Sequence, residues 1–452
     1  MITMGETALR SICDKALAAV DGDQAEAVVI ARNAALTRFA NAAIHQNVVS
    51  REAQLRVRVV RGKRVAMVTT DRLDDEGIRR AASEASELAK LTPENPTFGG
   101  LPGDRGLRPA PSAFVERTAD ATPLDRARAV KQLCDAARAA SLSAAGYVST
   151  NVQELAIANS LGVWAYAPAT TSDVELAALG DAGSAFAQRL SLDFGTLDVA
   201  GCAREAVEKA TAAQKPRDLA PGTHEVILEP YAVRDMVSFL GSQLTGLAVE
   251  EGRSFVIGKL GQKVTGDVTL VDDPFDPNGL PRAFDLEGQP SERLTLIDRG
   301  VAKAVVYDSQ TAHRTGQKNT GHALPPNPFQ PSAPMHLRLE PGDQTREDLI
   351  RSSKRAVLVT RFWYTRWVHQ LRTIVTGMTR DGTFAIEDGQ IAYPVKNFRF
   401  TQSYHEALRG TLGVGSDLAL LVPGEQFGLQ VSSYRVPALR LAAFTFTGAT
   451  QY

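Results

Sequence analysis

Cysteine is scarce. The 452 residues hold three, Cys13, Cys134 and Cys202, an odd number, far apart and without CxxC spacing, which argues against a disulfide framework. No apolar run approaches the length needed to cross a bilayer. The N-terminal stretch MITMGETALRSICDKALAAV sets Glu6, Arg10, Asp14 and Lys15 into an apolar i, i+3, i+4 pattern, which is that of an amphipathic helix and not of a signal peptide. Charge of one sign is missing too: 50 Lys and Arg stand against 51 Asp and Glu, so no overall field draws the chain to nucleic acid or anionic lipid. A cytoplasmic protein without membrane contact is the expectation. The rest of the composition, 44% hydrophobic and 22% charged, is that of a folded chain long enough for two or three domains.

Histidine is almost as sparse, at seven residues. In SYHEALRG (403–410), His405 followed by Glu406 opens like the helix of a zinc peptidase. Such a helix needs a second imidazole about one turn on, so that both nitrogens reach one ion from one face. Arg409 and Gly410 stand there instead, and His405 reads as a polar residue at a helix start or on the surface. His313, His322, His336 and His369 are scattered over β-like segments and loops without metal spacing, and hydrogen-bonded structural roles are expected of them. Of these His322 stands out, because Gly321 permits close backbone approach and the prolines that follow stiffen an extended loop. Such a loop can line a peptide groove or simply join two strands.

The order of elements suggests an α+β protein. After the first helix, AEAVVIARN and AALTRFANAAIHQNVVSREAQLRVRVVRGKRVAMVTTD alternate apolar and polar residues between turns, as in an antiparallel meander. LDDEGIRRAASEASELAKL reads as a helix with acids in its first turn and Lys90 in its last. Residues 92–112 are a Pro/Gly-rich loop, followed by a helix with Thr122 as cap and Pro123 at its first position. KPRDLAPGT (215–223) is the expected boundary between an N-terminal mixed α/β domain with an antiparallel sheet (1–215) and a β-rich C-terminal domain (216–452). The second half opens with a short strand, His224 to Leu228, and a helix from Pro230 to Leu247 whose apolar stripe is Ala232, Val233, Met236, Val237, Leu240, Leu244 and Leu247.

Two later stretches carry chemistry-like patterns. SSKRAVLVTRFWYTRWVHQLR interleaves Lys354, Arg355, Arg361, Arg366 and Arg372 with Phe362, Trp363, Tyr364 and Trp367, as a single-strand nucleic-acid platform would. Strand alternation places Phe362 and Tyr364 on one face and Arg361 and Trp363 on the other, which reads as a strand with one buried side and argues against nucleic acid. TRDGTFAIEDGQIAYPV puts Asp381-Gly382 and Asp388-Gly389 at turn positions, and its acids are expected to face solvent.

Several collinear phrases together resemble the TldD/PmbA (TldD/TldE) family: LTRFANAAIHQNV, VRVVRGKRVAMVTTDRLDDEGI, TGHA (320–323), VTRFWYTRWV, TGMTRDGTFAIEDGQIAYPVKNFRFTQS and RVPALRL, spread over nearly the whole chain. The resemblance implies a two-subunit metallopeptidase whose catalytic subunit carries an HExxxH helix after a strand at the start of the C-terminal half, and a cysteine close to the C-terminus. Here no histidine lies between His224 and His313 and no cysteine follows Cys202. With the strand-to-helix junction as register, Ser238 and Gln243 occupy the two imidazole positions. The resemblance is therefore to the metal-free PmbA/TldE-type subunit, with no catalytic or metal-binding residue of its own.

That kinship implies a heterodimer with an HExxxH-bearing TldD-like partner that holds the zinc, and an unfolded peptide or peptide precursor, such as the leader of a peptide antibiotic, as substrate. His322 and Arg380 are the expected chamber-lining residues. Two rival readings stay open at the level of sequence: a stand-alone hydrolase of a natural-product pathway with a repurposed site near Ser238, His322 or Arg380, and a non-enzymatic protein that acts on DNA or gyrase through residues 354–372. A homodimer is the alternative assembly, since related subunits offer similar interfaces.

Overall fold

In the computed structural model residues 3–326, 329–422 and 432–449 are described. The N-terminal half is built on a six-stranded sheet in the order Arg64–Thr70, Ala43–Arg61, Gln24–Ala40, Ser143–Asn159, Trp164–Leu179, Ser184–Ser191. All its pairings are antiparallel. Helices Glu6–Ala18 and Asp75–Leu91 bury Leu9, Ile12, Ile78, Ala82 and Ala85 against Val29, Leu55 and Val57. Helices Pro123–Ala139 and Val199–Ala212 cover Val148, Val174 and Leu176 further along. Opposite these, Val28, Leu155 and Ile157 pack on Phe284 and Leu286 from the C-terminal half, so the central strand Ser143–Asn159 is buried along nearly its whole length. The caps form as local chemistry demands: Thr122 accepts from Asp125 N and Asp125 returns the bond, with Pro123 at the first helical position.

The C-terminal half carries two sheets. In one, strands Gly222–Leu228, Leu439–Ala449, Phe398–Ser403, Ile374–Glu387 and Arg355–His369 pair in a closed cycle, with Gln390–Pro394 added beside Ile374–Glu387 and Thr411–Val414 beside Leu439–Ala449. Phe362, Phe398, Phe400, Phe444 and Phe446 form its buried aromatic centre, with Phe362 and Phe444 stacked at 5.4 Å. The other sheet runs Val301–Ala302, Leu294–Asp298, Leu270–Asp272, His336–Leu339, Ser433–Val436, Ala419–Leu421. The fold is thus α+β with an antiparallel N-terminal sheet and a β-rich second half.

Three local expectations are corrected. The helix after Pro230 stops at Gln243, because Thr245 leaves the helix and caps a second, short one at Gly246–Glu250 by accepting from Ala248 N at 3.2 Å. All seven residues of the stripe are nevertheless buried. Asp381-Gly382 is a kink inside strand Ile374–Glu387 rather than a hairpin turn, with φ of 55° and 115°. There Asp381 points inward to accept from Arg361 Nε at 2.6 Å and Ser184 Oγ at 2.6 Å. Asp388-Gly389 does form the turn, both residues at positive φ. Finally, Tyr364 does not share the face of Phe362: register slips between Trp363 and Arg366, Tyr364 takes φ 55°, and its ring is 67% exposed while Phe362 is buried.

Candidate active-site cleft

Helix Pro230–Gln243 follows the C-terminal end of strand Gly222–Leu228 and lays one side along a cleft of about 270 Å³. Ser238, Phe239, Gly241 and Ser242 form the helical wall, facing Pro334, Leu337, Trp367 and Tyr434. Tyr434 donates to Ser238 Oγ at 3.3 Å, and burial raises the phenol above its ordinary range. Ser242 Oγ is turned back onto Phe239 O at 2.8 Å. Phe239 meets Trp367 edge-on at 4.8 Å and Tyr404 at 5.8 Å, which fixes the wall as an aromatic surface. On the same helix Asp235 is held away from the cleft, accepting from Thr365 Oγ1 at 2.8 Å and Tyr404 OH at 2.9 Å; burial raises its carboxyl.

Ser238 and Gln243, the two positions set by register, are not brought together on this wall. Gln243 is buried, its carbonyl accepts from Ser254 Oγ at 2.6 Å, and its Oε1 has no hydrogen-bond partner among the described residues. The donors that face the cleft are hydroxyls, an indole and an amide, from Ser238, Ser242, Tyr434, Trp367 and Gln330. This set does not fit zinc, which takes imidazole, thiolate or carboxylate. Among the described residues no group of three or more His, Cys, Asp or Glu has the geometry to hold a metal ion.

A larger cleft of about 710 Å³ lies at the N-terminal end of the same helix. Its floor is a ladder of alternating charges. Glu229, fully buried, accepts from Lys209 Nζ and from Arg346 Nη2, the latter at 2.7 Å; Lys209 also reaches Glu205 at 2.8 Å, and Arg189 reaches Glu205 at 2.7 Å. Burial alone would raise the Glu229 carboxyl, but the charges of Lys209 and Arg346 outweigh it and hold it low. Nothing in the periodicity of the sequence announces this ladder; the one signal is Glu229-Pro230 at a strand exit leading into a helix.

The remaining sequence-predicted residues lie elsewhere. His322 is buried, with Nε2 2.6 Å from Asp272 Oδ2 and Nδ1 3.0 Å from Thr320 Oγ1. Of the proline-rich loop that follows, Asn327 and Pro328 lie outside the described residues. Arg380 is half exposed, with its guanidinium 4.7 Å from the Trp363 ring centre and 3.7 Å from Asp381. His405 starts the short helix Tyr404–Arg409, as expected, but is buried rather than on the surface: it stacks on Phe255 at 5.4 Å and bonds Thr373 Oγ1 at 2.8 Å.

Comparison with known proteins agrees with this architecture. Models of the PmbA/TldA metallopeptidase family match residues 25–89 (domain 1), 116–214 (central domain) and 221–448 (C-terminal domain). A metalloprotease of Methanothermobacter thermautotrophicus is 27% identical over 236 residues, so the match spans about half (49%) of each chain. The metalloprotease PmbA of Escherichia coli O157:H7 is 21% identical over 408 residues, 86% of each chain. The crystal structure of TldE from Thermococcus kodakarensis superposes with a TM-score of 0.87 at 21% identity, covering 98% of this chain and 100% of that one, and so shares its fold. The matches over all three domains establish that this chain belongs to the TldD/PmbA metallopeptidase family.

Proposed function

We propose that this chain is the metal-free subunit of a TldD/TldE-type peptidase, with the zinc in a homologous HExxxH-bearing partner. The observation that carries the reading is the donor set of the helix cleft, where hydroxyl, amide and aromatic groups line the cleft along the helix that the family resemblance makes the counterpart of the HExxxH helix, and no imidazole, thiol or carboxylate among the described residues does. A chain of this family with such a cleft contributes architecture rather than chemistry: it shapes a chamber and holds an extended, unfolded peptide. Main-chain pairing along a strand edge gives such binding tolerance of sequence. The working compartment is taken to be the cytoplasm; among the described residues no helix is long and apolar enough to cross a membrane.

The test is to purify the chain alone and together with an HExxxH-bearing homologue, then measure zinc per chain and cleavage of an unfolded polypeptide. The expected result is negligible zinc and no turnover for the chain alone, and both in the co-purified complex. Stoichiometric zinc or chelator-sensitive turnover in the isolated chain overturns the proposal.

A further inference from the structure

Away from both clefts, a third cavity, of about 50 Å³, lies between the inner face of the N-terminal sheet and the C-terminal half. Gln153, Thr170 and Thr171 form its sheet side; Pro281, Arg282 and His336 close it from the other. At about 10–15 Å³ per water-sized group it has room for about three to five such groups, the size of a carboxylate or a phosphate.

The chemistry of the lining is one-sided. No carboxylate borders the cavity, and its two ionisable groups, Arg282 and His336, are both cationic when protonated. His336 is only 7% exposed, and neither ring nitrogen has a hydrogen-bond partner among the described residues. Its backbone is well satisfied, N–H to Asp272 Oδ1 at 2.5 Å, so the ring alone is left without a partner. Most buried polar groups are hydrogen-bonded, so a ring left in that condition beside a cavity is open to a polar ligand. Thr170 Oγ1 is committed to Leu192 O at 3.0 Å, but Thr171 Oγ1 receives only a long bond from Asn151 at 3.4 Å, which leaves its hydroxyl proton available. Asp272, Asp273, Arg282 and His322 are the charged or titratable groups that act on His336, and burial holds its imidazole neutral, with a pKa lowered to about 4.

We propose that this cavity is a binding site for a small oxyanion, held by the His336 ring, the Arg282 guanidinium and the Thr171 hydroxyl. The guanidinium brings the positive charge, the neutral imidazole and the hydroxyl each bring one donor, and bonds from such a set to an anion recognise carboxylate and phosphate alike. Two sources share that chemistry: a free anion, or the C-terminal carboxylate of a bound peptide.

The experiment titrates the full chain with inorganic phosphate, with acetate, and with one short peptide bearing either a free or an amidated C-terminus, by calorimetry. Saturable one-to-one binding of at least one free oxyanion or of the free-acid peptide is expected, weakened at least tenfold in His336→Leu and in Thr171→Val. Binding of the free-acid peptide but not its amide assigns the site to a peptide terminus; binding of phosphate or acetate while both peptides fail assigns it to a free anion. No saturable binding, or binding unchanged in both variants, overturns the proposal. Should His336→Leu fail to fold, crystals of the wild type soaked in phosphate decide: an oxyanion within hydrogen-bond distance of the His336 ring supports the site, and water alone in the cavity overturns it.

Discussion

His322 and Asp272 are joined inside the C-terminal half, Nε2 to Oδ2 at 2.6 Å, and the same carboxylate receives the backbone N–H of His336 at 2.5 Å and of Met335 at 3.3 Å. One side chain therefore ties the loop containing Gly321 to the start of strand His336–Leu339. Removing one member of a buried pair of this kind costs about 3–5 kcal/mol, and Asp272→Ala is expected to lose that much in denaturant unfolding. Burial pushes the Asp272 carboxyl up, but the His322 bond, the electrostatic attraction of the His322 and His336 rings and the His336 amide outweigh it, so its pKa lies below the ordinary value. A depressed carboxyl stabilises the fold above its unfolded pKa of about 3.9, and that contribution fades as pH falls through the folded value. Melting temperature followed downward from pH 5 should drop more steeply in the wild type than in Asp272→Ala.

Glu287 has the opposite sign. Burial first, then the neighbouring Asp285, raises its pKa, while Arg58, 4.0 Å away on the N-terminal sheet, and the Ser309 hydroxyl lower it incompletely. The folded state binds its proton more tightly than the unfolded chain does, so stability is lost as pH rises from about 4.3 toward the folded pKa, at up to about 1.4 kcal/mol per pH unit. Glu287→Gln keeps an acceptor for Ser309 and removes the charge. Its thermal melts are expected to exceed the wild type's at pH 8 and to converge with them near pH 4; a constant offset at every pH would show that the charge is not the cause.

Gly321 holds φ 71°, and a Cβ there would fall 2.1 Å from Pro290 O, a backbone atom that cannot swing aside. The left-handed conformation alone costs a non-glycine residue about 1–3 kcal/mol. Gly321→Ala should therefore unfold at clearly lower denaturant concentration than wild type, and His322 should lose its setting with it. An unchanged midpoint would mean that the loop relocates freely.

In the helix cleft, Ser238→His combined with Gln243→His restores the two imidazoles of the family pattern in sequence but not in space, because Gln243 is buried off the cleft wall. The double variant is expected to bind zinc no more tightly than the wild type in a competition titration with a chelator. Tight stoichiometric binding would show that the helix end rearranges to present both rings.

What could be read from residues alone was whatever depends on near neighbours. The Thr122 cap, Pro230 at a helix start, the buried stripe from Ala232 to Leu247 and the Asp388-Gly389 turn all follow from spacing within a few residues. Asp381 and Tyr364 were misread for one reason: both sit at irregularities in long strands, where a single positive φ reverses which face a side chain occupies. The buried place of His405 was equally out of reach, since Phe255 and Thr373 are far from it in sequence.

The sequence by itself determined which ligand types this chain possesses, and so the absence of imidazole from residues 225–312 and of thiol beyond Cys202. Tertiary structure alone decided what stands together: Glu229 with Lys209 and Arg346, Ser184 with Asp381 across 197 residues, and His336 with Thr171 and Arg282 around one void. Residue type is fixed by the chain, but proximity is set by strand register and by the packing of one half on the other, which no local pattern encodes.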